Sequence, residues 1–274
     1  PKLDFIGYDD PLDCESQDAI DEMEEAVAKV KKCWRVPSGP IKDLQYLLEQ
    51  NGILVTGFSI GEDKIDAFSD NADVFLIAVA LGSRPECRLR FDMAHELGHI
   101  VLHPWSEDIE SLSKEEFKAR ERQANMFASA FLLPRDSFSK DVSQYPTDLK
   151  FYLFLKKKWK VSVQAMMYRA RQLDIISANQ YQYMMRQVSK NGWRTKEPDD
   201  IPGTLNESIF QGAIDLLFDN NILTPRSLLS DFKRHGVTLY PGMIEDLLHL
   251  KKGTLDIEDK VIPLFRIKNT EDTE

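Results

Sequence analysis

Apolar positions recur at helical spacing along most of the chain, and two short apolar runs interrupt the pattern. Residues 16–34 carry apolar side chains every three or four positions, with acidic residues early and lysines late, which predicts a helix. A second helix is predicted over 40–51, because proline suits its first turn and glycine follows its end. The β-branched runs 53–58 and 74–81 are bounded by glycine, aspartate and asparagine, which predicts two strands.

Two longer helices are predicted after the strands. Residues 86–103 place apolar side chains on one face and end before Pro104. The next helix opens with a capping box formed by Ser113 and Glu116 and runs to about residue 133. Three shorter amphipathic helices are predicted beyond it, over 147–159, 163–173 and 177–189.

The last quarter of the chain is predicted to be a separate region. The stretch 189–203 breaks the periodicity with glycine, proline and charge, which indicates a linker or long connection. Helices are predicted after it over 206–219, 225–234 and 240–251, and a strand over 261–267. We therefore expect one domain over 1–195 and a smaller, mostly helical region of unassigned role over 196–274.

Composition narrows the functional classes. The formal net charge of −10 and the pI near 5.1 argue against a broad electrostatic grip on nucleic acid or an anionic membrane. No apolar run approaches the roughly 20 residues that span a bilayer, and no secretory signal is present, so a cytoplasmic protein without a membrane partner is expected. The chain starts at Pro1 instead of methionine, from which we expect an upstream segment to be missing.

The three cysteines show no close pairing along the chain. Cys14, Cys33 and Cys87 are too few and too scattered for a disulfide framework. Metal sites built on cysteine usually contain a closely spaced pair, which this sequence lacks. We expect reduced thiols that are buried or inert.

The main chemical signal lies in the predicted helix 86–103. Residues 95–99 read His-Glu-Leu-Gly-His, so His95 and His99 are about one helical turn apart and project from the same face. Two imidazole nitrogens then converge at zinc distance. Glu96 lies roughly 100° around the helix from His95, close enough to reach a metal-activated water as a general base without ligating the metal.

Hydrolytic zinc sites need a third protein ligand and an open position for water. Glu121 is the best candidate, because it lies 22 residues after His99 on the capped helix. Asn125 is one turn further along and can accept the free N–H of a ligating histidine. Small alanines on the same face favour a close approach between the two helices.

Other histidines are weaker candidates. His103 continues the four-residue spacing, but it lies roughly 12 Å along the helix axis from His95, too far to share an ion with it. Capping the helix end or packing there is the better interpretation of His103. His235 and His249 are isolated and are interpreted as surface or packing residues. A structural zinc site stays open as an alternative, although such sites are usually closed and rich in cysteine.

Two segments together resemble a known family. Residues 90–103 (RFDMAHELGHIVLH) and 121–134 (ERQANMFASAFLLP) closely resemble the ImmA/IrrE family of zinc metallopeptidases. The resemblance covers about residues 16–195. It implies an α+β, zincin-like metallopeptidase domain, in which a small mixed sheet accompanies the motif helix and a second ligand helix. It also implies that His95, His99 and Glu121 bind Zn²⁺ and that Glu96 is the base.

The family resemblance also suggests a biological role. Members typically cut a helix-turn-helix repressor of a mobile element or a DNA-damage response, so the expected partner is a protein substrate of that kind. Longer members often carry an N-terminal Xre-type helix-turn-helix domain. DNA contact is therefore expected only through such a domain, which these 274 residues lack. The sequence carries no signal for an oligomeric state.

One detail of the mechanism and two rival functions follow from the sequence. The strand 74–81 is expected at the sheet edge, where it would hold an extended substrate by β-augmentation, with a plain core strand as the alternative. One rival is a regulator that binds DNA through the lysine run 156–158 and the helix 163–173, although a lysine run at a helix end is usually a solvated face. The other rival is a zinc-binding sensor that binds its partner without cutting it.

Overall fold

The computed structural model describes residues 16–58, 67–71, 74–82, 84–103, 112–206 and 209–257. The chain divides into two compact units, Pro1–Ile209 and Phe210–Glu274. The fold is α+β, as predicted, with three strands and eleven helices in the described ranges. None of the described helices is both long and apolar enough to cross a membrane. The predicted domain boundary between residues 195 and 196 stays a prediction.

The sheet contains one strand more than the sequence predicted. The strands are β1 (Ile53–Phe58), β2 (Ala67–Asn71) and β3 (Phe75–Ala80), in the spatial order β1-β3-β2. β3 pairs with β1 in parallel and with β2 antiparallel. The prediction that strand 74–81 forms the sheet edge is therefore wrong, because β3 is central and β2 occupies the edge.

Two helices precede and support the sheet. Helix α1 (Gln17–Trp34) begins after the N-cap Ser16, whose side chain accepts a hydrogen bond from the Ala19 backbone N–H. Helix α2 (Leu44–Gln50) begins later than predicted from Pro40, because the Asp43 carboxylate caps it by accepting from the Tyr46 N–H at 3.0 Å. Its buried side chains, Leu44 and Leu48, join the same core as β1.

The two helices of the predicted motif match their expected bounds closely. Helix α3 spans Glu86–Leu102 and helix α4 spans Lys114–Leu132, with both hydrogen bonds of the capping box between Ser113 and Glu116 present. The helices approach closely at Gly98, where an added Cβ would lie 3.1 Å from both Cα and O of Ala124. A larger residue at position 98 would push α4 away, so glycine fixes the distance between the helices.

Four further helices complete the first unit. They are α5 (Arg135–Val142), α6 (Leu149–Trp159), α7 (Val163–Gln172) and α8 (Ala178–Lys190). The last three correspond to predicted helices, whereas α5 was missed. Their buried side chains extend the core of α1, α3 and α4 into one apolar cluster.

The stretch 189–203, predicted as a linker or long connection, is part of the first unit and packs there around a buried lysine. Lys156 Nζ donates to Glu197 Oε2 at 3.0 Å and to Asp200 Oδ1 at 2.5 Å, and all three side chains are at most 8% exposed. Burial alone would lower the pKa of Lys156, but the hydrogen bonds to Asp200 and Glu197 outweigh it and raise that pKa. Glu197 also accepts from the Val163 N–H at the start of α7. We call Lys156, Glu197 and Asp200 the buried triad.

Beyond the buried triad, the same connection pairs with the segment that starts α3. The Glu86 N–H donates to the Ile201 carbonyl at 2.9 Å, and the Gly203 N–H donates to the Arg84 carbonyl at 2.7 Å. Asn206 then hydrogen-bonds to Gln45 in α2. The connection therefore fixes the beginning of the motif helix to the rest of the unit.

The second unit is small and helical in the part that the structure describes. It contains α10 (Pro225–Arg234), α11 (Pro241–Leu247) and most of α9 (Ile209–Asp219). Its core is a separate cluster around Ile214, Ile244, Leu250 and Leu255. The predicted strand 261–267 lies outside the described residues. Of the cysteines, Cys33 is exposed and Cys87 is partly buried; both are free thiols, and Cys14 is also outside the described range.

Lys31 is a buried cation whose replacement should stabilise the protein. Burial lowers the pKa of Lys31 to about 8 from 10.5, and its Nζ lies 5.1 Å from the centre of the Phe131 ring. The charged form is therefore penalised in the folded state at pH 7. We expect Lys31→Met to raise the free energy of unfolding at pH 7 by about 2–3 kcal/mol.

The stabilisation expected from Lys31→Met should depend on pH. Below the folded pKa, lysine is charged in both states and the full penalty applies; as the pH rises from about 8 toward 10.5, the folded state loses its proton first and the wild type regains stability. The difference between Lys31→Met and wild type in urea unfolding should therefore shrink over that range. Lys32→Met, at the neighbouring exposed position, is the control. A constant difference from pH 7 to pH 10 would contradict this account.

Candidate metal centre

Three side chains from α3 and α4 converge on one point. The Nε2 atoms of His95 and His99 lie 3.0 Å apart. Glu121 places Oε2 3.4 Å from His95 Nε2 and Oε1 3.2 Å from His99 Nε2. Among the described residues, these three form the one cluster of histidine, cysteine and carboxylate donors whose ligand atoms all lie within 4.8 Å of one another.

The spacing of these donor atoms fits a zinc ion. Zinc binds imidazole nitrogen and carboxylate oxygen at about 2.0–2.2 Å in tetrahedral geometry, which places neighbouring ligand atoms about 3.3 Å apart. The two imidazole nitrogens lie 3.0 Å apart, and each lies 3.2 or 3.4 Å from one of the two Glu121 carboxylate oxygens, so these separations bracket that value. Two imidazoles and one carboxylate also leave a fourth position for water or substrate, as catalytic zinc sites require.

Asn125 orients the ring of His95. Its Oδ1 lies 3.2 Å from His95 Nδ1, and its Nδ2 donates to the Glu121 carbonyl oxygen at 2.8 Å. Because Nδ2 already donates to a carbonyl, Oδ1 is the atom that faces the imidazole and accepts its Nδ1–H. The lone pair of His95 Nε2 therefore points toward Glu121 and His99.

His99 has a different support, which the sequence did not predict. Its Nδ1 lies 2.8 Å from Nδ1 of His103, and Nε2 of His103 lies 2.9 Å from Oε1 of Gln123. His103 and Gln123 are both buried, with 6% and 2% of their surface exposed. The structure thus agrees that His103 packs at the helix end and does not join the three donors, but it also places His103 directly against one of them.

Glu96 is held by the edge strand. Ser69 of β2 donates its hydroxyl to Glu96 Oε2 at 2.7 Å, and Glu96 itself is buried. The strand was not predicted, so Ser69 was missed as a functional candidate. Its one sequence signal was its place within residues 16–195, the range that the family resemblance covers.

A polar cleft of roughly 250 Å³ opens beside the three donors. Its lining includes Arg88 and Asp92 from α3, Ala67 from β2, and the site residues His95, Glu96, Glu121 and Asn125. Arg88 Nε lies 3.1 Å from Asp92 Oδ1. The cleft therefore gives access to Glu96 and to two of the three donors, His95 and Glu121.

The pKa values of His95 and Glu121 shift in opposite directions. Burial lowers the pKa of His95, but hydrogen bonding and attraction to the Glu121 carboxylate raise it by more, so the net shift is upward. Hydrogen bonds to His95 and His99 hold the pKa of Glu121 well below its usual range. Glu121 is therefore a carboxylate at neutral pH, which is the form that ligates a metal.

Comparison with known proteins identifies the domain that carries this centre. The sequence model of the peptidase M78 family, described as an IrrE N-terminal-like domain, matches residues 48–171. This segment belongs to the peptidase M78 family. The matched range of the M78 domain includes the whole sheet, both ligand helices and all of the residues described above. The predicted resemblance to ImmA/IrrE peptidases is confirmed.

Other comparisons with this chain are more distant. No curated protein sequence matches it. Among solved structures, a Mycobacterium tuberculosis transcriptional regulator matches with 23% identity and a TM-score of 0.40, over 57% of this chain and 47% of that chain. The chain thus spans about half the length of that regulator.

The cations of the suggested DNA-binding helix pair are paired with carboxylates. Lys156 belongs to the buried triad, and Arg169 is fully buried with its guanidinium against Glu24. Arg171 lies 2.9 Å from Asp174. The described structure therefore gives no support to a basic DNA-binding face at these two helices.

Proposed function

We propose that the protein is a zinc-dependent endopeptidase with His95, His99 and Glu121 as metal ligands and Glu96 as general base. The observation that carries this proposal is the convergence of three donor atoms at zinc spacing, with a buried carboxylate beside them in an open cleft. Membership of the M78 family supports a peptidase or regulatory role of this kind. Zinc is the metal that this donor set fits.

The chain's own residues account for binding and proton transfer. Zinc at such a site supplies a Lewis acid that lowers the pKa of its water toward about 7 and polarises the substrate carbonyl. Because Oε2 of Glu96 accepts a hydrogen bond from Ser69, we assign proton transfer to Oε1. Glu96 takes the proton from the attacking water and returns it to the leaving amine. Asn125 keeps the lone pair of His95 directed at the metal.

We propose an extended peptide as the substrate, with β2 as its docking edge. Among the described residues, β2 pairs along one side, with β3, and its Ser69 contacts the general base. A peptide that added to this edge would bring its backbone past Glu96, in the recognition mode called β-augmentation. A helix-turn-helix repressor is the proposed protein substrate, cut within an extended segment.

Removal and return of the metal tests this function. The purified chain is treated with a chelator and incubated with a helix-turn-helix repressor encoded near its gene, with either zinc or magnesium added back. We expect cleavage fragments with zinc, and no detectable fragments with the chelated protein or with magnesium. Fragments at equal rates in all samples would contradict the metal requirement. Release of the repressor from DNA without fragments would favour a zinc-binding regulator that acts by binding.

A further inference from the structure

The pair formed by His103 and Gln123 has no part in the proposed proton transfer, yet it is buried directly against His99. We call this pair the relay. His103 is the last residue of the motif segment, and its backbone N–H still caps α3 by donating to the His99 carbonyl at 3.1 Å. Its side chain connects Nδ1 of His99, at 2.8 Å, to the amide of Gln123 in α4, at 2.9 Å.

Each hydrogen bond in the relay needs one donor and one acceptor. The position of the proton in one bond therefore decides its position in the next. A neutral imidazole donates from one ring nitrogen and accepts at the other. If Gln123 accepts from Nε2–H of His103, then Nδ1 of His103 must accept from Nδ1–H of His99. If Gln123 presents its amide N–H instead, every donor and acceptor in the chain reverses.

Only the first arrangement of protons, in which Gln123 accepts from His103, allows His99 to bind a metal. With the proton on Nδ1, His99 directs the lone pair of Nε2 toward Glu121 and the metal position; in the reversed arrangement, Nε2 carries a hydrogen and cannot ligate. The orientation found in the structure, with Oε1 of Gln123 facing His103, is the one that belongs to the first arrangement.

We propose that His103 and Gln123 are positioning residues that set the tautomer of His99 for metal binding. This inference rests on the proposed zinc site and adds a requirement to it. Asn125 does the same for His95 through a single hydrogen bond, with its amide fixed by the Glu121 carbonyl. Both ligand rings are therefore oriented from α4, one directly and one through a second histidine.

Two substitutions at Gln123 separate positioning from packing. Gln123→Met keeps the length of the side chain but removes the acceptor, and we expect it to lower zinc affinity by about 10- to 100-fold. In Gln123→Glu, the ionised carboxylate accepts hydrogen bonds and cannot donate one. This variant should therefore retain the wild-type zinc affinity. Zinc affinity is measured by competition with a chromophoric chelator, and urea unfolding of the metal-free variants reports on packing. Equal zinc affinity of wild type and Gln123→Met would overturn the proposal.

The tautomers themselves supply a readout that needs no variant. In zinc-loaded wild type labelled with ¹⁵N at histidine, we expect long-range ¹H–¹⁵N spectra to show His103 protonated at Nε2 and His99 protonated at Nδ1. His103 protonated at Nδ1 in that sample would overturn the relay even if Gln123→Glu fails to fold. A wild type that binds zinc with these tautomers but cuts no protein would contradict the peptidase function while supporting the relay. A wild type that binds no zinc overturns both.

Discussion

Replacing Glu96 with glutamine is expected to lower kcat/KM for repressor cleavage by about 10²- to 10⁴-fold, the range that general acid–base catalysis contributes. Glutamine has nearly the same shape as glutamate, and its Oε1 can still accept the hydroxyl of Ser69, which lies 2.7 Å from Glu96 Oε2. It cannot take a proton from water or return one to the leaving amine. Zinc content should stay at the wild-type level, because Glu96 is not among the three converging donors.

The control for this prediction is the same chemical change outside the cleft. Glu115 is exposed in the first turn of α4, so Glu115→Gln should cut the repressor at the wild-type rate. Rates are followed by the appearance of fragments over time, with the metal measured in each sample. Cleavage by Glu96→Gln within about threefold of wild type would refute the assigned base, since that difference is under 1 kcal/mol in the barrier. Inactivation of the repressor by both proteins without fragments would favour the non-cutting regulator.

Replacing Lys156 with methionine is expected to destabilise the first unit by about 3–5 kcal/mol, the usual cost of removing one partner from a buried ion pair. The substitution would leave Glu197 and Asp200 buried without the cation that both carboxylates contact, at 3.0 and 2.5 Å. The methionine fills most of the volume of the lysine stem, so lost packing contributes little. The loss should be visible in urea unfolding at pH 7.

The next residue along the chain provides a matched control. Lys157 lies 3.1 Å from Asp199, but their side chains are 67% and 53% exposed. Such surface pairs contribute about 0–1 kcal/mol, so Lys157→Met should change the unfolding free energy by no more than that. Similar values for the two variants would contradict a special role for the buried triad.

The parts of the fold with strong local signals were predictable from the sequence. Helix α4 begins where the capping box predicted, because Ser113 and Glu116 satisfy each other's backbone N–H groups without help from the rest of the chain. Helix α3 was predictable from its apolar face, and β1 from its β-branched run. Glu121 was placed beside the two histidines from spacing and from the family resemblance, and the structure brings the three side chains together. Their role as metal ligands stays a proposal.

The missed features depend on tertiary contacts. Strand β2 is short and partly polar, so nothing in residues 67–71 indicates a strand until β3 pairs with it. The contact of Ser69 with Glu96 follows from that pairing. Likewise, the distance along one helix correctly separated His103 from His95, but it could not show that Gln123 of another helix would meet His103.

The placement of the donors on two helices has a consequence for stability. Between His99 and Glu121 the chain leaves one helix and enters another, so an ion shared by these residues closes a loop, as a disulfide does. Zinc at 100 times its Kd would add about 2.7 kcal/mol to the folded state if the unfolded chain does not bind it. The same ion would then cross-link the two helices as well as take part in catalysis. A cell short of zinc would hold a protein that is both inactive and easier to unfold.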